Sequence, residues 1–174
     1  MQRSLVMTMI GPDRPCLVEA VADIVTKHSG NWLDSRMSRL GGHFTGILRV
    51  EFPAESEQEI IGALRALESR GLSVVIHLDH PTEEPTGHRY SEIEIVGHDR
   101  PGIVREISHV LASHGVNVEE LDTERSSAAM SGEAIFKARA HLRIPRTTDV
   151  SKLRRDLERI AADLIVDISL KERL

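Results

Sequence analysis

The sequence has few aromatic residues and little cysteine. Phe, Trp and Tyr together make up 3% of its 174 positions, so a hydrophobic core has to rest on Val, Ile, Leu, Met and Ala. The one cysteine, Cys16, can form neither an intrachain disulfide nor a multi-cysteine metal site. No apolar run is long enough to span a bilayer, and the first residues reach Gly-Pro-Asp at 11–13 too early for a signal peptide. We therefore expect a cytoplasmic protein without membrane contact.

Neither half of the sequence has an excess of basic residues. Residues 1–82 contain 8 Lys and Arg against 10 Asp and Glu, and residues 83–174 contain 14 against 17. A protein that binds nucleic-acid backbones by itself usually shows a basic face. The charge balance therefore argues against direct binding of DNA or RNA.

Recognisable catalytic motifs are missing as well. There is no Gly-x-Gly-x-x-Gly or Walker-type phosphate loop, and no Gly-x-Ser-x-Gly nucleophile elbow. Cys16 lies near a predicted helix N-terminus, which can lower a thiol pKa, but no His and Asn partner pattern accompanies it. His77, His80 and His88 match no standard metal-site spacing, and we interpret them as solvated linker histidines. The sequence predicts no catalytic residue, no metal and no cofactor.

The most informative feature that is present is an internal repeat at a constant offset of 86 residues. Residues 11–18, GPDRPCLV, return as residues 97–104, GHDRPGIV. An ungapped repeat of this kind indicates two copies of one supersecondary unit. We predict domains at residues 1–80 and 89–174, joined by a polar, Pro-containing linker at 81–88. The same offset pairs Val21 with Ile107, Ile24 with Val110, His28 with His114 and Asn31 with Asn117.

Each copy shows the hydrophobic pattern of strand, helix, strand, strand, helix, strand. Apolar residues alternate at Leu5, Met7 and Met9, which predicts the first strand. The first helices have apolar stripes at 17, 18, 21, 24 and 25 and at 103, 104, 107, 110 and 111. This order predicts an α+β fold of two tandem ferredoxin-like βαββαβ units, each with an antiparallel sheet and both helices on one face.

The repeated turn between the first strand and the first helix has a structural interpretation. Aspartate before a helix is a good N-cap, proline is tolerated in the first helical turn, and glycine permits a sharp exit from a strand. We assign these roles to Asp13 and Asp99, to Pro15 and Pro101, and to Gly11 and Gly97, respectively.

Three positions invite a functional interpretation beside the structural one. Gly102 is predicted inside the first helical turn, where glycine costs about 1 kcal/mol relative to alanine. Either a ligand carboxylate approaches the backbone N–H groups there, or the helix packs closely on a strand. Asn31 and Asn117 open the second strand of each copy, although Asn is a poor strand former. They are either turn residues or amides that read the ammonium and carboxylate of an amino acid.

The segment Asp-Arg-Pro-Gly-Ile-Val at 99–104, followed by Gly-Val-Asn-Val at 115–118, resembles the ACT domain. The resemblance covers residues 4–79 and 90–172. It implies the βαββαβ fold and a small amino acid, glycine or similar, bound between two copies. A tandem pair of this length also resembles the glycine cleavage system transcriptional repressor group. That resemblance implies a repressor or anti-activator that senses an amino acid and acts through a partner transcription factor.

The ACT resemblance also implies two reciprocal ligand sites. Cys16 departs from the motif because it stands where Gly102 does, so we expect the site that contains Cys16 to be weaker or vestigial. The stronger site would use Asp99, Arg100, Pro101, Gly102 and Ile103 with Asn31, and the weaker one Asp13, Arg14, Pro15, Cys16 and Leu17 with Asn117.

Two other interpretations stay open. The chain can be a ligand-free ACT interaction module that regulates a metabolic enzyme and docks through exposed sheet edges. It can also be a small enzyme, since ACT-like segments precede the catalytic domain in the formyltetrahydrofolate deformylase group. We expect no enzyme, because the two copies account for the whole sequence. In either regulatory role we expect at least a homodimer.

Overall fold

A computed structural model describes residues 1–79, 87–127 and 132–172. The chain divides into two compact units, Met1–Glu83 and Glu84–Leu174. Residues 81–86 of the predicted linker lie outside the described residues, and His88 already belongs to the first strand of the second unit. Within the described residues, no helix has both the length and the apolar character needed to cross a bilayer.

The first unit is a four-stranded antiparallel sheet with two α-helices packed on one face. Its core lies between the helices and the sheet, and short 3-10 helices flank the second α-helix. The elements are β1 (Gln2–Pro12), α1 (Leu17–Lys27), β2 (Asn31–Leu40), β3 (His43–Pro53), α2 (Glu57–Arg65) and β4 (Ser73–Asp79). The strand order is β2-β3-β1-β4.

The second unit repeats this arrangement. The elements are β5 (His88–His98), α3 (Ile103–Ser113), β6 (Asn117–Ser127), β7 (Ala134–Pro145), α4 (Val150–Leu164) and β8 (Val166–Glu172). Their sheet order is β6-β7-β5-β8, with every neighbouring pair antiparallel. The predicted α+β fold of two ferredoxin-like βαββαβ units is therefore confirmed. Even the β-bulge recurs, between Trp32 and Asp34 and between Val118 and Glu120.

The sequence patterns place most of the core correctly. Leu5, Met7 and Met9 are at most 1% exposed, because strand alternation turns all three toward the helices. By contrast, Val18 and Val104, which we placed on the apolar helix stripes, are 44% and 42% exposed. Both residues lie in the first turn of their helix. The buried part of each apolar stripe is therefore narrower at the N-terminus of the helix than the sequence pattern suggests.

Gly11 and Gly97 do not end their strands, so the predicted sharp exit is wrong. The strands continue to Pro12 and His98. A Cβ at Gly11 would lie 2.6 Å from the carbonyl oxygen of Gly71, just before the last strand of the unit begins. A Cβ at Gly97 would meet the start of β8 at a similar distance. Glycine is needed at both positions because another segment of backbone passes closely over it.

Candidate functional site: the strand–helix turn

The turn that opens α1 and α3 lacks the N-cap that we predicted. The N-cap positions are Cys16 and Gly102, and neither residue caps its helix with a side-chain hydrogen bond. The prolines precede the helices and do not fall in the first turn as predicted. Asp13 and Asp99 therefore lie three residues before the N-cap position and cannot act there. By contrast, Asp149 does cap α4, accepting a hydrogen bond of 3.0 Å from the Lys152 amide.

Gly102 stands at the N-cap of α3, not inside the helix, and its backbone gives a third reason for glycine. Its φ is +98°, in the left-handed region, and nothing lies within 4 Å of a Cβ built there. Close packing on a strand is therefore not the reason. Cys16 holds the equivalent left-handed conformation, with φ of 69°. A residue other than glycine pays about 1–2 kcal/mol for that conformation, so Cys16 strains the first turn.

The two turns make a matched pair of substitutions. We expect Cys16→Gly to raise the free energy of unfolding by about 1 kcal/mol and Gly102→Ala to lower it by a similar amount. Thermal unfolding followed by circular dichroism measures both shifts. Because the space around Gly102 is open, the loss comes from the backbone alone. A less stable Cys16→Gly variant would show that the thiol makes contacts worth more than the strain.

Cys16 is exposed but is not an activated thiol. The carboxylate of Glu19 accepts a hydrogen bond from the thiol and repels the thiolate, and together these effects raise the pKa of Cys16 above its usual value. The interpretation of Cys16 as an ordinary small side chain fits this environment.

The aspartates of the turn form ion pairs that recur in both units. Arg39 Nε lies 2.5 Å from Asp13 Oδ2, and Arg125 Nε donates to Asp99 Oδ2 at 2.6 Å. Each pair joins the turn to the far end of the second strand of its unit. Sequence reasoning missed both arginines, although the offset of 86 residues relates Arg39 to Arg125 and could have found them.

In the first unit, much of the predicted turn lines one open depression on the surface. Phe44, at the start of β3, forms part of its wall and was not predicted. Pro15 lies in the same turn but does not line the depression, and Arg14 is exposed. The lining residues are Asp13, Arg14, Cys16, Leu17, Val18, Glu19 and Phe44.

Asn31 and Asn117 begin β2 and β6 as predicted, and both are exposed. Within a unit, the sheet separates each asparagine from the turn. Asn31 is paired with Glu51 and Glu51 with Ser4, near the start of β1, whereas Asp13 follows the end of β1. The Asn117 amide donates to the Glu119 carboxylate in the bulge of β6. No single unit therefore brings its own turn and its own asparagine together.

Two histidines lie at helix C-termini as expected from the sequence. His28 and His114 are the C-cap residues of α1 and α3. His28 Nδ1 lies 2.8 Å from the Ile24 carbonyl oxygen, and His114 Nε2 lies 2.9 Å from Asp156 Oδ2. The hydrogen bond with His114 lowers the pKa of Asp156. Both rings are thus used within their own unit.

The three linker histidines do not form a metal site in the described part of the chain. His80 lies outside the described residues, His77 is exposed on β4, and His88 begins β5. Across residues 1–79, 87–127 and 132–172, no three His, Cys, Asp or Glu side chains are grouped so that they could hold a metal ion.

Known proteins resemble this chain in sequence and in overall fold. A relative from Escherichia coli (strain K12), the glycine cleavage system transcriptional repressor, is 24% identical over 165 residues, which are 94% of this chain and 86% of that protein. The crystal structure of an unknown protein from Galdieria sulphuraria has a TM-score of 0.89 and 28% identity, and covers 100% of both chains. The crystal structure of a protein provisionally assigned as a glycine cleavage system transcriptional repressor has a TM-score of 0.73 and 20% identity. The match covers 99% of this chain and 98% of that chain. The last likeness shows the fold alone.

Sequence models of the ACT domain match both halves of the chain separately. One match covers residues 3–77 and the other covers residues 91–140. Each includes the strand–helix turn of its unit, and both fall on βαββαβ units with the same strand order. The chain therefore belongs to the ACT domain family, with two ACT domains in tandem.

Proposed function

We propose that this chain is an amino-acid-sensing regulatory protein. In this role it represses or counteracts activation of the glycine cleavage system through a partner transcription factor. The observation that carries the proposal is the tandem pair of ACT domains. It is supported by the sequence similarity, over 94% of this chain, to a protein named glycine cleavage system transcriptional repressor. We propose no catalysis and no direct nucleic-acid contact, because the net charge of −5 favours a protein partner over a phosphate backbone.

We propose that the turns before α3 and α1 bind the carboxylate of the amino acid. The N-cap residues Cys16 and Gly102 provide no side-chain cap to the first N–H groups of their helices, which can therefore receive an anion at the positive end of the helix dipole. Asp13 and Asp99 are not the N-cap residues of these helices, and their carboxylates pair with Arg39 and Arg125. The proposed ligand residues are Asp99, Arg100, Pro101, Gly102, Ile103 and Asn31, and Asp13, Arg14, Pro15, Cys16, Leu17 and Asn117.

Isothermal titration calorimetry of the chain with glycine, serine and other amino acids tests the proposal. Arg100→Ala and Arg14→Ala are matched variants, since both side chains are exposed and occupy the same position in the two turns. We expect saturable binding of a small amino acid, weakened about tenfold or more by Arg100→Ala, because hydrogen bonds to charged groups contribute about 1.5–3 kcal/mol. We expect Arg14→Ala to change the affinity by less than about twofold, because the site in that turn contains Cys16 and is expected to be the weaker one.

The controls separate the competing interpretations. Both variants should keep the melting temperature of the unaltered chain, so that a loss of heat reports binding and not folding. Two equal sites per chain would contradict the expected weakness of the site at Cys16. An absence of heat with every amino acid would contradict the sensor proposal. It would favour the ligand-free module that regulates an enzyme.

A further inference from the structure

A small apolar pocket lies beside α3 in the second unit. It is bordered by α3, the central strands β7 and β5 and the edge strand β6, and its volume is about 30 Å³. Among the described residues that line it, Ser108 alone has a polar side chain. Three of the lining residues, Val104, Val118 and Leu121, are 42%, 37% and 47% exposed, so the pocket opens to the surface.

Two side chains that line the pocket are much smaller than their counterparts in the first unit. Ala140 stands where the first unit has Leu48, and Val118 stands where it has Trp32. The members of each pair occupy the same register position in their sheets. Leu48 is fully buried, and Trp32 packs against the core of the first unit. The fold therefore accepts larger side chains at both positions, and the second unit lacks their volume.

Two changes in the opposite direction do not restore this volume. Leu121 replaces Ser35, and Ala138 replaces Gly46. Their combined gain is smaller than the loss from tryptophan to valine and from leucine to alanine. An unfilled space beside a core normally costs stability, because the side chains around it lose van der Waals contacts. The pocket thus follows from the residues of the second unit, and a ligand can supply the missing contacts.

The pocket is continuous with the strand–helix turn. In the first unit, Val18 and Phe44 line the depression at the turn. Their counterparts in the second unit, Val104 and Phe136, line the apolar pocket. Val104 is the second residue of α3, and a helix rises about 1.5 Å per residue, so the pocket begins within one helical turn of the Gly102 N-cap. A small molecule bound at the turn can therefore reach the pocket with a short side chain.

We propose that the amino acid sensed by this chain has a branched aliphatic side chain, as valine, leucine and isoleucine do, and that this side chain fills the pocket. The inference rests on the proposed function, which places the carboxylate of the amino acid at the turn before α3. It differs from the glycine-like ligand implied by the ACT resemblance, because glycine has no side chain to occupy a pocket.

The size and lining of the pocket select this class of side chain. A volume of about 10–15 Å³ holds one water-sized group, so about 30 Å³ accepts two methyl-sized groups, as in an isopropyl end. None of the described residues that line the pocket is charged, so an ionic side chain would lose its hydration there without gaining a partner. Water gains little in such a space either, since apolar cavities stay dry.

Isothermal titration calorimetry of the full chain with glycine, serine, valine, leucine and isoleucine tests the inference. We expect at least one of the three branched amino acids to bind about tenfold or more tightly than glycine, because a single methylene group in a hydrophobic pocket already changes affinity by about tenfold. Phenylalanine should bind less tightly than the best branched amino acid, because its ring exceeds the volume of the pocket.

Two variants fill the pocket with the side chains of the first unit. Val118→Trp copies Trp32, and Ala140→Leu copies Leu48. Each should weaken binding of the preferred branched amino acid about tenfold or more and change the affinity for glycine by less than about twofold, a split that general unfolding would not produce. Val118 is partly exposed, so its variant is expected to fold even if Ala140→Leu does not. Ser108→Ala copies Ala22, keeps the pocket open and should leave both affinities unchanged.

The outcomes separate this inference from the proposed function. If glycine or serine bound as tightly as every branched amino acid, the inference would be wrong and amino-acid sensing would stand. A preference for a branched amino acid that persists in both folded pocket variants would also overturn it, because the side chain would then lie elsewhere. An absence of binding by every amino acid would overturn the proposed function and this inference together.

Discussion

Replacing Gly97 with alanine should destabilise the second unit by about 3 kcal/mol, at the upper end of what overpacking usually costs. A Cβ at this position would lie 2.6 Å from Val166 Cγ1, 2.7 Å from Val166 Cα and 2.8 Å from the Ile165 carbonyl oxygen. Two of these three atoms are backbone, so a change of side-chain rotamer cannot relieve the clash. β8 would have to move away from β5 and lose part of its pairing. Urea unfolding followed by circular dichroism measures the loss.

Gly62→Ala is the matched control for this prediction. Gly62 lies in α2, and nothing lies within 4 Å of a Cβ built there. Alanine is a better helix former than glycine by about 1 kcal/mol, so the control should stabilise the chain slightly. If Gly97→Ala were as mild as Gly62→Ala, the close approach of β8 to β5 would not be a constraint on the fold. Gly11→Ala should show a smaller loss than Gly97→Ala, because only one atom, the Gly71 oxygen, lies under 3.0 Å.

Truncating Phe52 to alanine should lower the free energy of unfolding by about 3–5 kcal/mol, because buried apolar surface is lost and the surrounding core relaxes only partly into the cavity. Phe52 is fully buried in the core of the first unit, and it is among the largest side chains there. Fluorescence of Trp32, the sole tryptophan, reports unfolding of this unit, since its ring packs against the same core.

Phe44→Ala provides the comparison within the same strand. Phe44 is only partly buried against the core and borders the depression at the turn. Its truncation should cost about 1–2 kcal/mol, in proportion to the smaller apolar area it removes from water. Equal losses for the two variants would mean that burial in the core of the first unit does not decide stability. Phe44→Ala is also informative in calorimetry with amino acids, because Phe44 lies beside the proposed carboxylate site of the first unit.

The fold was readable from the sequence because its signals are local. Strand alternation at Leu5, Met7 and Met9 and the helical spacing of Val21 and Val25 each depend on a few neighbouring residues. The repeat then extended every local inference to a second copy. The exposure of Val18 could not be foreseen in this way, because a helical stripe indicates which face is apolar but not how far along the helix the sheet covers it.

The candidate site was only partly readable. The repeated turn identified residues 13–17 and 99–103 as the segment of interest, and the ACT resemblance that supplied their role is confirmed at the level of the family. The binding of an amino acid there stays a prediction. The N-cap assignment of Asp13 and Asp99 was wrong, because an aspartate before a helix has the same local signature whether it caps the helix or pairs with an arginine. Its partner, Arg39 or Arg125, stands 26 residues further along the chain.

Periodicity and repetition were enough for the order of elements, the duplication and the residues of the core, since each of these follows from spacing along the chain. The tertiary structure alone decided why Gly97 and Gly102 are glycines. One lies under the start of β8, and the other has a left-handed backbone at a helix start. It also decided which outward residues share a rung: Ile47, Thr8 and Val75 in the first unit, and Arg139, Glu94 and Ser169 in the second. These features arise where distant segments meet, and the free energy of such contacts depends on a geometry that no local pattern encodes.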